Sequence, residues 1–162
     1  MNKQELENIR QRLLDSFIKL SESDINAKPS PDRWSISQVV LHVSGAETRF
    51  MQAAYQGLKE NKKTNPADVD LSVFDDPSKK LIAPIDPPEE WKGKDELVAA
   101  LNNSREVTFE FLDKYKESEL SGISLNHHRF GEMPIWQIFE LIGKHENRHI
   151  HQVEEIKKQL GL

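Results

Sequence analysis

Two histidines four residues apart, His145 and His149, occupy positions in the last helical segment where a packed helix would place leucine. An apolar stripe runs through Ile135, Ile138 and Ile142, reaches the two histidines, and resumes at Val153 (or Gln152), Ile156 and Leu160. Steps of three and four residues keep all of these on one helix face. Imidazoles at i and i+4 stand about 6 Å apart at their Cβ atoms, so their ring nitrogens can converge on one ion at about 2.0–2.1 Å. A third histidine, His42, falls between Val39 and Ala46 on the flank of the buried face of an earlier helical segment. Three neutral imidazoles on one divalent ion leave at least one coordination position open, the arrangement of a catalytic rather than a structural site.

A hydrogen-bonded cluster of core imidazoles is the competing reading. One histidine on an apolar face usually serves packing, but three brought together bury several donors and acceptors that need partners without water. A cation answers that need directly, and the pattern alone leaves both readings open. The run His145-Glu146-Asn147-Arg148-His149 also matches H-E-x-x-H, two zinc ligands and a general-base glutamate on one helix. Its metalloprotease implication fails on context. No G-x-x-H continuation supplies a third ligand downstream, and no strand is expected beside the helix to hold a peptide. Glu47, Glu146 and Gln152 are the nearest candidates for a base or for a partner orienting a ligating ring. For Glu146 the alternative is an ordinary solvent-facing side chain. His151 should face solvent, and His127 and His128 should belong to a turn, with a pocket mouth as their alternative role.

Four segments with helical periodicity would have to position these residues. The first runs from about Gln4 to Leu20 on Leu6, Ile9, Leu13, Phe17 and Leu20. The second opens at Ser35, where Ser35-Ile36-Ser37-Gln38 fits a capping box and Trp34 with Val39 a hydrophobic staple. It continues to about Leu58 and should bury Ile36, Val39, Val43, Ala46, Phe50 and Ala53. The third runs from about Asp95 to Tyr115 on Leu97, Leu101, Val107, Phe109, Phe111 and Leu112. The fourth begins near Pro134, suited to a first helical position, and ends at Gly161. Nothing reads as an alternating strand. The expected architecture is all-α: one domain over residues 1–162, a four-helix bundle. A long crossover link joins the second and third helices, and five of the eight prolines fall in it, between Lys59 and Trp91. Such a link is either functional or mobile.

Composition narrows the partners. The chain has no cysteine, which excludes disulfides, thiolate catalysis and every cysteine-containing zinc site. A net charge of −5 argues against nucleic acid, whose phosphates need a basic surface. No run of eighteen apolar residues offers a membrane span, and the polar N-terminal stretch Met-Asn-Lys-Gln-Glu-Leu lacks the apolar core of a secretory signal. A cytoplasmic location is the expectation.

Two stretches then carry a family resemblance: Trp34 to Val43, and His127 to Ile156. In the second, His127-His128-Arg129-Phe130-Gly131 looks like an H-P-x-F-G loop, and His145 to Val153 like an H-x-x-x-H-x-x-Q-[IV] signature. Over nearly its whole length the chain resembles the DinB-like (DinB/YfiT) superfamily of metal-binding four-helix bundles. The resemblance implies a site of His42, His145 and His149 holding zinc or nickel, often in a homodimer. His128 departs from the usual proline, and His151 from the usual small residue.

Members of that superfamily include thiol-dependent S-transferases, thiol-dependent isomerases, hydrolases and proteins without an assigned reaction. The expectation is therefore a metal-dependent enzyme acting on a small molecule. Thiol transfer to an electrophile, with a low-molecular-weight thiol as co-substrate, is favoured over hydrolysis because the superfamily includes such transferases. A non-catalytic, metal-stabilised dimeric module is the rival.

Overall fold

The structure is a computed structural model describing residues 1–162. Helix α1 (Lys3–Phe17) starts at a capping box, Asn2 with Glu5, and buries Leu6, Ile9, Leu13 and Phe17. A short helix, α2 (Glu22–Asn26), is capped by Ser21. Helix α3 (Ile36–Glu60) begins at the Ser35/Gln38 capping box. Helix α4 spans Lys94–Lys114. Strands β1 (Ser124–His127) and β2 (Gly131–Pro134) form an antiparallel hairpin, and helix α5 (Ile138–Leu160) ends the bundle at Gly161, whose φ is 73°.

The long helices are arranged by two apolar clusters. Leu6, Phe50, Phe111, Phe139 and Ile142 belong to one, together with the hairpin residues Leu125 and Met133. Leu13, Phe17, Val39, Val43, Leu97, Leu101, Val153 and Ile156 belong to the other. Helices α1 and α5 therefore run from the first cluster to the second, and α3 and α4 run from the second to the first. Packed neighbours α3 and α4 are thus parallel, which a short loop cannot achieve. Residues 61–93 must return along the whole bundle, about 30 Å for a helix as long as α4.

That return is the crossover expected from the prolines, and it is held down. Lys144 Nζ binds Asp75, the Arg148 guanidinium donates to the carbonyls of Asp76 and Lys79, and the Gln137 side chain pairs with both backbone groups of Val69. Its middle includes a 3₁₀ turn, Ser72–Phe74, that buries Phe74.

Several expectations need correction. The segment around His127 is a hairpin rather than a plain loop. Its strands are four residues each, too short for alternation to stand out in a sequence. Gly131, at φ 69°, takes the left-handed conformation that closes the three-residue turn. Pro134 ends β2 instead of opening a helix, and a 3₁₀ turn, Ile135–Gln137, precedes α5. Val107 is exposed, and Ala54 rather than Ala53 faces the core of α3. On α4 the buried face reads Leu97, Leu101, Ser104, Arg105, Thr108 and Phe111, so its centre is polar.

That polar centre belongs to a layer crossing all four long helices between the two clusters. Arg10 of α1, Glu47 of α3, Ser104, Arg105 and Thr108 of α4, and Glu146 of α5 are all buried and bonded to one another. On α5 the same level carries the two histidines.

Candidate metal centre

His145 and His149 lie on successive turns of α5 and project from its buried face. His42 meets them from α3, which packs against α5. The Nε2 of His145 lies 3.1 Å from that of His42 and 3.2 Å from that of His149. Ligand atoms of all three lie within 4.8 Å of one another. Nitrogens bound tetrahedrally to one ion at about 2.0–2.1 Å would stand about 3.3 Å apart, so two of the three separations already match a single cation.

Protonation fits as well. Burial, with a smaller contribution from the Arg49 charge, lowers the pKa of His42 to about 4. Burial and the neighbouring His42 lower that of His149 to about 3, and His145 is pushed well below its ordinary value by burial and by His149. All three rings are neutral at pH 7, the form that ligates. The Nδ1–H of His149 donates to Gln152 Oε1 at 2.7 Å, which leaves the Nε2 lone pair free on the side of His145. Gln152 thus sits where a ring-orienting residue belongs. Nδ1 of His42 is buried with no partner.

Glu47 and Glu146, the other two candidates for base or orienting roles, are engaged elsewhere. Glu47 accepts from Arg10 Nη2 at 2.6 Å, Arg105 Nε at 2.8 Å and Thr108 Oγ1 at 2.6 Å. Burial alone would raise its pKa, but Arg105 and Arg10 outweigh that and lower it. Glu146 accepts from Arg10 Nε at 2.6 Å and from Arg105 Nη2. Neither carboxylate bonds to a histidine of the cluster. The solvent-facing alternative for Glu146 is also overturned, since it is 1% exposed. The cause is register: one residue past His145, it turns inward to the seam that α1 and α4 close with arginines. The signal was present in the sequence, because Arg10 interrupts the Leu6–Leu13 stripe and Arg105 the Leu101–Phe111 stripe, and buried arginines need acids.

His151 faces solvent and so does His128, whereas His127 is buried at the end of β1. Its Nδ1 accepts the Arg129 backbone N–H at 3.1 Å, so in the turn it caps the hairpin.

Fold and centre define a helical bundle in which α3 and the final helix, α5, gather three imidazoles that could hold one cation. The DinB superfamily model matches residues 5–153, and the chain belongs to that superfamily. It is 30% identical over 147 residues to the uncharacterized protein YuaE of Bacillus subtilis, which covers 87% of this chain and 88% of that one. Two solved structures share the fold at 16% identity. TT2238, described as a four-helix bundle protein, superposes with a TM-score of 0.66 over 94% of both chains. YfiT from Bacillus subtilis, described as "a probable metal-dependent hydrolase with an unusual four-helix bundle topology", superposes with 0.65 over 98% of this chain and 85% of that one. No helix is long and apolar enough to cross a membrane.

Proposed function

We propose that the chain is a metal-dependent enzyme acting on a small molecule, with hydrolysis as its reaction. One observation carries the reading: three neutral Nε2 atoms converge, and no fourth protein ligand joins them. The description of YfiT supports hydrolysis through a shared fold. A divalent cation, zinc or nickel on family grounds, would supply Lewis acidity that lowers the pKa of a water or thiol and polarises a carbonyl. The chain itself keeps the rings unprotonated by burial and fixes His149 through Gln152.

A second reading, thiol transfer to an electrophile, is favoured by the absence of a carboxylate bonded to the cluster. A thiol acidified beside a cation needs no protein base. Assembly as a homodimer belongs to the same proposal on family grounds, and sedimentation equilibrium tests it.

The deciding experiment loads the protein with zinc or nickel and assays small esters and amides in parallel with monochlorobimane plus low-molecular-weight thiols. Each assay is repeated with chelator and with His145→Ala. Metal-dependent hydrolysis lost in the variant supports the first reading, and a rate seen only with thiol selects the second. Full metal occupancy without either rate returns the chain to a non-catalytic, metal-stabilised module.

A further inference from the structure

Seven arginines occur in the chain, and five of their side chains have an acceptor: Arg10 and Arg105 in the buried layer, Arg12 on Asn147, Arg33 on Glu155, and Arg148 on backbone carbonyls. Arg49 and Arg129 have none; Arg129 is exposed in the hairpin turn, whereas Arg49 stands at the histidine cluster. Arg49 lies seven residues after His42 on α3, hence on the same face. Its guanidinium folds back toward His42 over Gly45, with Nη1 3.3 Å from where a Cβ on that glycine would be. It is close enough to His42, His145 and His128 for its charge to lower the proton affinity of each. No acid answers it: desolvation alone perturbs its pKa, downward. A half-buried guanidinium without a counter-charge is a ready receptor for an anion.

The surroundings describe that anion. Ring centroids run His145–Phe50 at 5.4 Å, Phe50–His127 at 5.3 Å, His127–Phe130 at 5.1 Å, Phe130–Phe74 at 6.1 Å and Phe74–His145 at 6.0 Å, a closed circuit. Phe50, Phe74, His127 and the three clustered histidines each keep 6–8% of their surface open, whereas the deep-core rings Phe17, Phe111 and Phe139 keep at most 1%. These six residues are linked by ring contacts, and each keeps a small accessible face. Nδ1 of His127 is spent on the turn, so in the neutral ring the proton sits on Nε2. That N–H lies on the far side of the ring from the turn, buried, with no partner.

We propose that the centre takes a small carboxylate-bearing substrate with an apolar body, its carboxylate gripped by Arg49 with the Nε2–H of His127 as second donor, its body packed on Phe50, Phe74 and Phe130. This names the substrate class for the enzyme reading above and rests on it for turnover, but not for binding. An arginine fork suits a planar carboxylate, and the aromatic walls suit a flat or branched apolar group.

Benzoate and its neutral isostere benzamide are the probes, titrated calorimetrically into zinc-loaded protein. Benzoate should bind in clear preference to benzamide. Arg49→Gln should weaken benzoate by about tenfold to a hundredfold, the size of a lost charge-assisted contact, and leave benzamide unchanged. Arg49→Lys should recover part of the loss by restoring charge without the fork. His127→Phe should weaken benzoate less than Arg49→Gln, with His127→Gln restoring it through an amide donor. Zinc content should stay at the wild-type level throughout. Equal affinity for the two probes, or unaltered benzoate binding in Arg49→Gln, overturns the proposal. So does benzoate binding that chelation abolishes and Arg49→Gln leaves intact, because the ion alone would then be the receptor. Should Arg49→Gln not fold, Arg49→Lys and His127→Phe carry the same comparison. Turnover failing while Arg49-dependent benzoate binding persists would sink the enzyme reading and leave this site standing.

Discussion

Glu146 stands in an H-E-x-x-H run, where a metalloprotease would put its general base, yet its carboxylate is bound to Arg10 and Arg105. The substitution Glu146→Gln separates the two roles. The layer contains two arginines and two glutamates, each at most 4% exposed, so its charges balance in a place water does not reach. Glutamine keeps the shape but removes one negative charge, leaving a buried guanidinium uncompensated and an amide N–H facing guanidinium N–H groups. Breaking a buried pair from one side costs about 3–5 kcal/mol. A domain of this size loses about 2–4 °C of Tm per kcal/mol, so a fall of about 6–20 °C is expected. Thermal and urea unfolding at pH 7 measure it, alongside metal content and the metal-dependent rate at a temperature where both proteins are folded. Stability should drop in that range while metal content and rate per folded molecule hold. Replacing Arg10 and Glu146 together by methionine and leucine should recover part of the loss, because no lone charge remains. The reasoning fails if the single variant keeps its stability to within about 1 kcal/mol and loses the rate. Glu146 would then act on the reacting atoms, and the arginine contacts would be incidental.

Acid should weaken the metal-free fold before its carboxylates titrate. Buried His42 and His149 have folded pKa values of about 4 and about 3 against about 6.5 unfolded, so the unfolded chain binds more protons between those values. Their contribution is complete above about pH 6.5 and drains as pH falls toward 4, by about 1.4 kcal/mol per group per unit. Urea midpoints from pH 7.5 to 4.5 should decline accordingly, and His42→Leu should flatten the slope. Gln152→Leu removes the acceptor that orients His149 and should weaken metal affinity about tenfold to a hundredfold, read by competition with a chromophoric chelator. Gly57→Ala should destabilise by about 1–3 kcal/mol in urea unfolding with metal affinity retained, since its Cβ would stand 2.6 Å from the Ser124 carbonyl and push the hairpin off α3.

Helix periodicity, the Ser35 capping box, the proline-rich crossover and the three histidines are all local or one-dimensional features. They depend on the order of residues along a helix, and for that reason the sequence by itself determined the bundle and nominated His42, His145 and His149. The i, i+4 spacing sets two imidazoles side by side in any helix, whatever packs against it. Which buried acid meets which arginine, only the tertiary structure decides. Glu146 finds Arg10 across 136 positions, and no pattern in either helix names the other. The short hairpin likewise escaped, because four-residue strands take their alternation from packing on α3 rather than from a visible period. Charge at the cluster mouth was legible only in three dimensions too. Arg49 reads as one of many surface cations until the folded chain reveals that no acid comes within its reach.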